Sequence, residues 1–249
     1  MNTTSIAFLL LSVCLGICGW WFHNAFRKSR SKDDQTPVGQ LLSQYLFLSS
    51  LQNLAIGVGA YLFNGDQSAF MYFLFISHVL LAIHTSFGVY ILYFIFSPKK
   101  SHSLIIMSLL LWGLIGAFLT IVFPPHVVIT KHNGIDWFLG IPLSLFIIPL
   151  LFVSLGSFSF IFAKLFYLIH DFKVKLFSFF ISMFGLVGIY NIFIRFILLY
   201  SASVSLRSWF FDNLIIIASA IFALIFLLFA IPWTAVQRSR LFSKIIKNQ

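Results

Sequence analysis

The chain of 249 residues contains no glutamate, and its six acidic side chains are all aspartates: Asp33, Asp34, Asp66, Asp136, Asp171 and Asp212. Charged residues of both signs make up only 9%, against about 25% in soluble domains. Cysteine occurs twice, as Cys14 and Cys18, too few for a small disulfide scaffold. So little charge excludes a disordered tail, whose solubility depends on it. It also excludes a cytosolic enzyme, which could not cover its core. No glycine-rich phosphate loop, zinc-ligand spacing or activated nucleophile occurs. His170-Asp171 is a lone dyad that reads as solvated, so no enzyme is expected.

What the chain has is apolar surface. Hydrophobic residues reach 60%, phenylalanine alone accounts for 33 positions, and the mean hydropathy is +1.01. Lipid must be the solvent for most of this chain. Seven runs meet the ~20-residue length that a hydrocarbon core of ~30 Å requires. They cover about 4–22, 41–63, 69–97, 103–123, 137–165, 174–200 and 212–235. None alternates apolar and polar residues, so a β-barrel is excluded. The expected fold is all-α, a single bundle of seven transmembrane helices, and every loop is too short for a soluble domain.

Direction follows from the basic residues. Net charge is +10, but the cations sit in short clusters between apolar runs, not on a soluble face, so no nucleic acid partner is expected. Arg27, Lys28, Arg30 and Lys32 follow the first run. Lys99 and Lys100 follow the third, Lys164, Lys173 and Lys175 lie about the fifth-to-sixth connection, and Arg238, Arg240, Lys244 and Lys247 occupy the tail. Alternate connections thus hold 13 of the 16 basic residues, and the opposite ones hold only Lys131 and Arg207. The positive-inside bias places the N-terminus outside and the C-terminus in the cytoplasm, with the clusters facing anionic inner-leaflet lipids. The first run carries no basic residue before it, so it reads as a retained span rather than a cleaved signal peptide. Trp20 and Trp21 stand where an interfacial aromatic belt would form. The expected location is the cell (inner) membrane. In the tail, 237–249, Leu241, Phe242, Ile245 and Ile246 would gather on one helical side, with Arg238, Lys244 and Lys247 around the other. This is the pattern of a basic amphipathic helix on the inner leaflet.

Ionisable groups within a membrane are the default functional candidates. Here they are His78 and His84 in the third run and Arg195 in the sixth. With no glutamate and no aspartate well inside a span, carboxylate proton relays and intramembrane aspartyl proteases lack their central residues. At ~1.5 Å per residue, His78 and Asn191 both lie ~14 Å below the outer edge, Arg195 ~8 Å, and Gln52 and Asn53 at ~15–17 Å. Asn191 and Arg195 are four apart and share a helix face. Gln52, Asn53, His78, Asn191 and Arg195 therefore form the candidate ligand-binding set, a polar and basic pocket in the outer half of the bilayer. A small polar or anionic ligand would suit it. Interhelical hydrogen bonding is the competing role for the same side chains.

His84 lies ~22 Å from the outer edge and 240° around the helix from His78, so the two rings are expected to diverge. No cofactor is expected on these grounds. A b-type haem is the alternative, with His84 or His78 as ligand and Met183 as a further axial candidate for His84. Cys14 and Cys18 share a helix face but not disulfide geometry. They read as small packing residues, like Gly57, Gly59, Gly113, Gly116, Gly185 and Gly188. Pro149 should kink the fifth span.

Two likenesses are visible. Seven helices in this direction resemble microbial rhodopsins and the large receptor family in topology, but 212–235 contains no lysine for a retinal Schiff base. The stretch Tyr72 to Phe123 reads Y-F-L-F-I-S-H-V-L-L-A-I, then Y-I-L-Y, a Lys-Lys-Ser-His loop, L-L-W and Thr120. It resembles the last helix pair of small four-helix proteins linked to respiratory-oxidase assembly, sharing a histidine early in one helix (His78) and one at the start of the next (His102). That family's upstream histidines have no counterpart in the first two runs. The resemblance implies an oxidase-associated subunit as the alternative role. The residues themselves point to a non-enzymatic transporter, sensor or accessory subunit of a membrane complex.

Overall fold

The computed structural model describes residues 2–28, 37–63, 67–96, 102–130, 133–168 and 172–194, with residues 196, 206 and 209. The expected seventh span, 212–235, and the tail, 237–249, lie outside the described residues, as do Arg195 and the His170-Asp171 pair. The described chain is predominantly helical: α1 (Thr3–Lys28), α2 (Pro37–Leu62), α3 (Gln67–Phe96), α4 (Ser103–Val122), α5 (Ile141–Leu168) and α6 (Phe172–Phe193). Between α4 and α5 lie two short strands, β1 (His126–Ile129) and β2 (Ile135–Phe138). Five helices, α1 to α5, are long and apolar enough to cross a membrane, which makes this a multi-pass membrane protein. The apolar part of α6, Ser178–Phe193, is shorter.

The expected fifth span begins too early. Residues 137–139 continue the apolar run into α5, but they belong to β2 and the link that follows. The reason is local: Gly140 and Pro142 start the helix, with the Gly140 carbonyl accepting the Ser144 N–H at 2.9 Å. Before them, residues 126–138 fold as an antiparallel hairpin in which Val128 pairs with Asp136 and Ile129 with Ile135. Asn133 takes φ 57°, a left-handed conformation that asparagine tolerates. Thr130 closes the turn, its Oγ1 accepting the Gly134 N–H at 2.9 Å.

The hairpin is tied to the bundle through α1. Thr4 Oγ1 accepts the Ile135 N–H at 2.8 Å and donates to the Ile135 carbonyl at 3.0 Å, replacing a neighbouring strand. Asn2 reaches the Ala60 carbonyl at 2.5 Å, and Gln67 reaches the Pro125 carbonyl at 3.2 Å. The start of α1, the end of α2, the start of α3 and the paired strands therefore share one end of the bundle.

Lipid offers no hydrophobic drive to bring apolar helices together, so close approach and hydrogen bonds must do it. Along α1 and α2, Ser5 donates to the Gly57 carbonyl at 3.0 Å, Ser50 to the Ser12 carbonyl at 2.8 Å, and Ser43 to the Gly19 carbonyl at 2.8 Å. Where α3 meets α4, Gly113 lies against Ala82; where α4 meets α5, Gly116 lies against Phe146 and Ile147; where α5 meets α6, Gly188 lies against Leu155. α3 is central, packing on α2, α4 and α5. α5 runs unbroken through Pro149, and one turn before that proline the Phe146 carbonyl accepts the Trp112 indole N–H at 3.1 Å.

The interior has two apolar centres. One gathers Cys14, Cys18, Leu42, Tyr45, Ile91 and Phe162, and both cysteines are free, buried packing residues. The other, towards the hairpin, gathers Phe70, Leu74, Leu81, Trp137, Leu143 and Ile147. Trp20 projects outwards, 56% exposed, as an interfacial residue would.

Candidate functional site

Residues of α1, α2, α3, α5 and α6 line a partly open cavity of 260 Å³, with Trp137 of β2 and Leu139 just after it contributing to its wall. α4 takes no part. Of the sequence-derived set, Gln52, Asn53, His78 and Asn191 all lie on this wall, and Arg195 is outside the described residues. His84 lines the same cavity. Ser49, Ser77 and Ser154 add further polar groups, and every other described wall residue is apolar or glycine. No Asp, Glu, Lys or Arg occurs among the described wall residues.

Each histidine is held through Nδ1. His78 Nδ1 meets Thr120 Oγ1 of α4 at 2.7 Å, and His84 Nδ1 meets Ser154 Oγ of α5 at 3.0 Å. The rings thus reach different helices, in line with the 240° between them, yet both residues border one cavity. Tyr45 stacks on His84 at 4.2 Å between ring centres, with planes 10° apart, and its hydroxyl lies 3.4 Å from the Ser154 carbonyl. That sandwich fixes the His84 ring. Asn53 spends its amide within its own helix, donating to the Ser49 carbonyl at 2.7 Å.

Among the described residues, three buried polar atoms of wall residues have no hydrogen-bond partner: Ser77 Oγ, His84 Nε2 and Asn191 Oδ1. Native interiors pair such atoms almost always, with protein, water or ligand. All three belong to residues that line the one cavity. It can hold a molecule that is mostly apolar and makes a few hydrogen bonds.

The haem candidates do not come together. Met183 is 42% exposed and absent from the cavity wall, so it faces away from His84. The cause is its position on the outward side of α6, with exposed Phe179, Leu186 and Tyr190. Nor do His78 and His102 share a site. His78 bonds near the end of α4, whereas His102 precedes its first residue and stacks on Tyr93 at 3.7 Å. Thr120 and His102 are thus separated by ~27 Å along that helix. Among the described residues no group of three or more His, Cys, Asp or Glu side chains could hold a metal ion.

Reading from the sequence missed Ser77, Ser154 and Tyr45. Serine is common in these helices, and only a search for a hydroxyl at the depth of each histidine would have singled them out. Asp136 was also passed over. It is fully buried in β2, its Oδ1 accepting the Trp137 N–H at 2.8 Å. None of the protein-family models, characterised proteins or solved structures compared with this chain matches it.

Proposed function

We propose that this protein is a non-enzymatic integral membrane protein that binds a small molecule in the interhelical cavity, as a transporter, sensor or accessory subunit of a membrane complex. The observation that carries the reading is the cavity itself, whose wall gathers Gln52, Asn53, His78, His84 and Asn191 among apolar side chains. The proposed site comprises Gln52, Asn53, His78 and Asn191, joined by His84; Arg195, the remaining sequence candidate, lies outside the described residues. Saturable ligand-induced stabilisation of the purified protein, lost when the cavity is filled by Leu151→Trp, is the expected result. Equal stabilisation of that variant would place the ligand elsewhere.

In this reading the bundle is completed by a seventh span at 212–235, with the N-terminus outside the cell (inner) membrane and the tail on anionic inner-leaflet lipid. Reporter fusions after Arg30, Lys100, Lys173 and the C-terminus should all report cytoplasm, and a periplasmic signal from any of them would overturn the topology. Amides of 240–247 should be protected from exchange in anionic nanodiscs and less so in neutral ones. Rapid exchange in both would remove the surface helix.

A further inference from the structure

Resting on the proposed reading of 212–235 as a seventh span, we infer where that span docks: in the cleft between α1 and α6, where it closes the cavity and supplies the last part of its wall.

The cleft follows from the order of packing around the cavity. α1 packs on α2, α2 on α3, α3 on α5 and α5 on α6, and all five line the cavity. Among the described residues α6 and α1 share no comparable contact, so this ring of helices is open on one side. Its lips are apolar, with Leu11 and Leu15 from α1 and Phe184 and Val187 from α6. Val187 belongs to the wall and is still 39% exposed, which marks the mouth. Protein interiors are close-packed, so in a bilayer either lipid or protein fills such a mouth.

The occupant follows from the path of the chain. α6 starts near Lys175, at the end away from the hairpin, and reaches the hairpin end, where Phe196 packs against the apolar centre that holds Trp137. The segment 212–235 therefore begins at the hairpin end, and at ~1.5 Å per residue it is long enough to recross a ~30 Å core. Consecutive elements are neighbours in space about two-thirds of the time, and α6 packs chiefly on α5, which leaves its cleft side free to receive the segment. The competing face is α4, the least buried of the five long spans. It packs on α3 and α5 and takes no part in the cavity. The segment's own sequence suits a narrow cleft. At ~100° per residue, Ser219, Ala220, Ala223 and Ala230 fall within an arc of about 100°, and Phe222, Phe226 and Phe229 fall outside it. Small side chains let helices approach closely in lipid, and the phenylalanines are left for the lipid side. The site is incomplete without this span.

The test is disulfide crosslinking of the full chain in membranes, on a background of Cys14→Ala and Cys18→Ala. Leu11→Cys on α1 and Val187→Cys on α6 are each paired with a cysteine at every position from 219 to 226 in turn. Ile115→Cys on α4 is paired with the same positions as the competing face; it and Ala220 both lie ~12 Å from the hairpin-end edge. Facing helices bring Cα atoms within the ~4.4–6.8 Å that a disulfide needs. Both lips should form disulfides within one chain, strongest at Ser219, Ala220 or Ala223 and read as a reductant-reversible shift of the monomer band, and Ile115→Cys should form none. In the unmodified protein, a carbene reagent dissolved in the lipid should label Leu111 and Phe118 of α4 and spare Leu11 and Val187, which tests the cover even where a paired variant fails to fold. Disulfides to Ile115→Cys, disulfides between two chains, none to either lip, or Val187 labelled as heavily as Leu111 would overturn the docking. With a C-terminal reporter in the cytoplasm, such a result overturns the docking alone. A periplasmic C-terminus would overturn the seventh span and its docking together.

Discussion

At the scale of the residue, the two histidine–hydroxyl pairs separate support from function. Thr120 supports: its oxygen pairs with His78 at 2.7 Å. Thr120→Val keeps the shape and removes that partner, so it should destabilise the protein by about 1 kcal/mol, within the range for interhelical bonds in membranes. Reversible unfolding in mild detergent measures this. Among the described residues, Ser77 Oγ finds no hydrogen-bond partner although it is buried. Ser77→Ala should therefore leave stability unchanged or raise it by up to about 1 kcal/mol, while weakening ligand binding. A loss of stability equal to that of Thr120→Val would mean that Ser77 has a structural partner. Much of this site was legible in the sequence, because Gln52, Asn53, His78 and Asn191 are rare polar side chains in apolar runs and helical rise alone puts them at one depth. The serines were not legible, since a hydroxyl can satisfy itself on its own helix, as Thr85 and Ser86 do.

At the scale of the element, the hairpin and the glycines carry the packing. Thr4 satisfies both backbone groups of Ile135. Thr4→Val would leave a buried N–H and a buried C=O unpaired, an expected loss of about 1–3 kcal/mol, with faster hydrogen exchange at the Ile135 amide as its local signature. Unchanged exchange there would show that the clamp does not hold the hairpin. Among the glycines, a Cβ at Gly113 would meet Ala82 Cβ at 2.5 Å and its Cα at 2.9 Å, whereas a Cβ at Gly156 meets nothing within 4 Å. Gly113→Ala should cost about 1–3 kcal/mol through forced separation of α3 and α4. Gly156→Ala should gain about 0.5–1 kcal/mol, the helix penalty of glycine. Thermal unfolding of the two variants side by side checks the pair, and similar shifts would contradict the packing described. The helices were legible because lipid demands long apolar runs. The hairpin was not, because Ile135, Trp137, Phe138 and Leu139 are as apolar as the helix they precede. Only Gly140 and Pro142 marked the true start of α5.

At the scale of the whole molecule, one end of the bundle gathers Asn2, Ala60, Gln67 and the hairpin, and the cavity reaches towards that end through Trp137. Lys164 and Lys175 lie at the other end, each over a phenylalanine ring, Phe96 and Phe166 respectively. The central claim is that the cavity is a binding site, and an experimental map of the protein purified with its native lipids tests it most directly. The account predicts non-protein density inside the cavity, in contact with His84 and Asn191. Helices closed over that space, with Ser77, His84 and Asn191 bonded to one another or to neighbouring side chains, would contradict it.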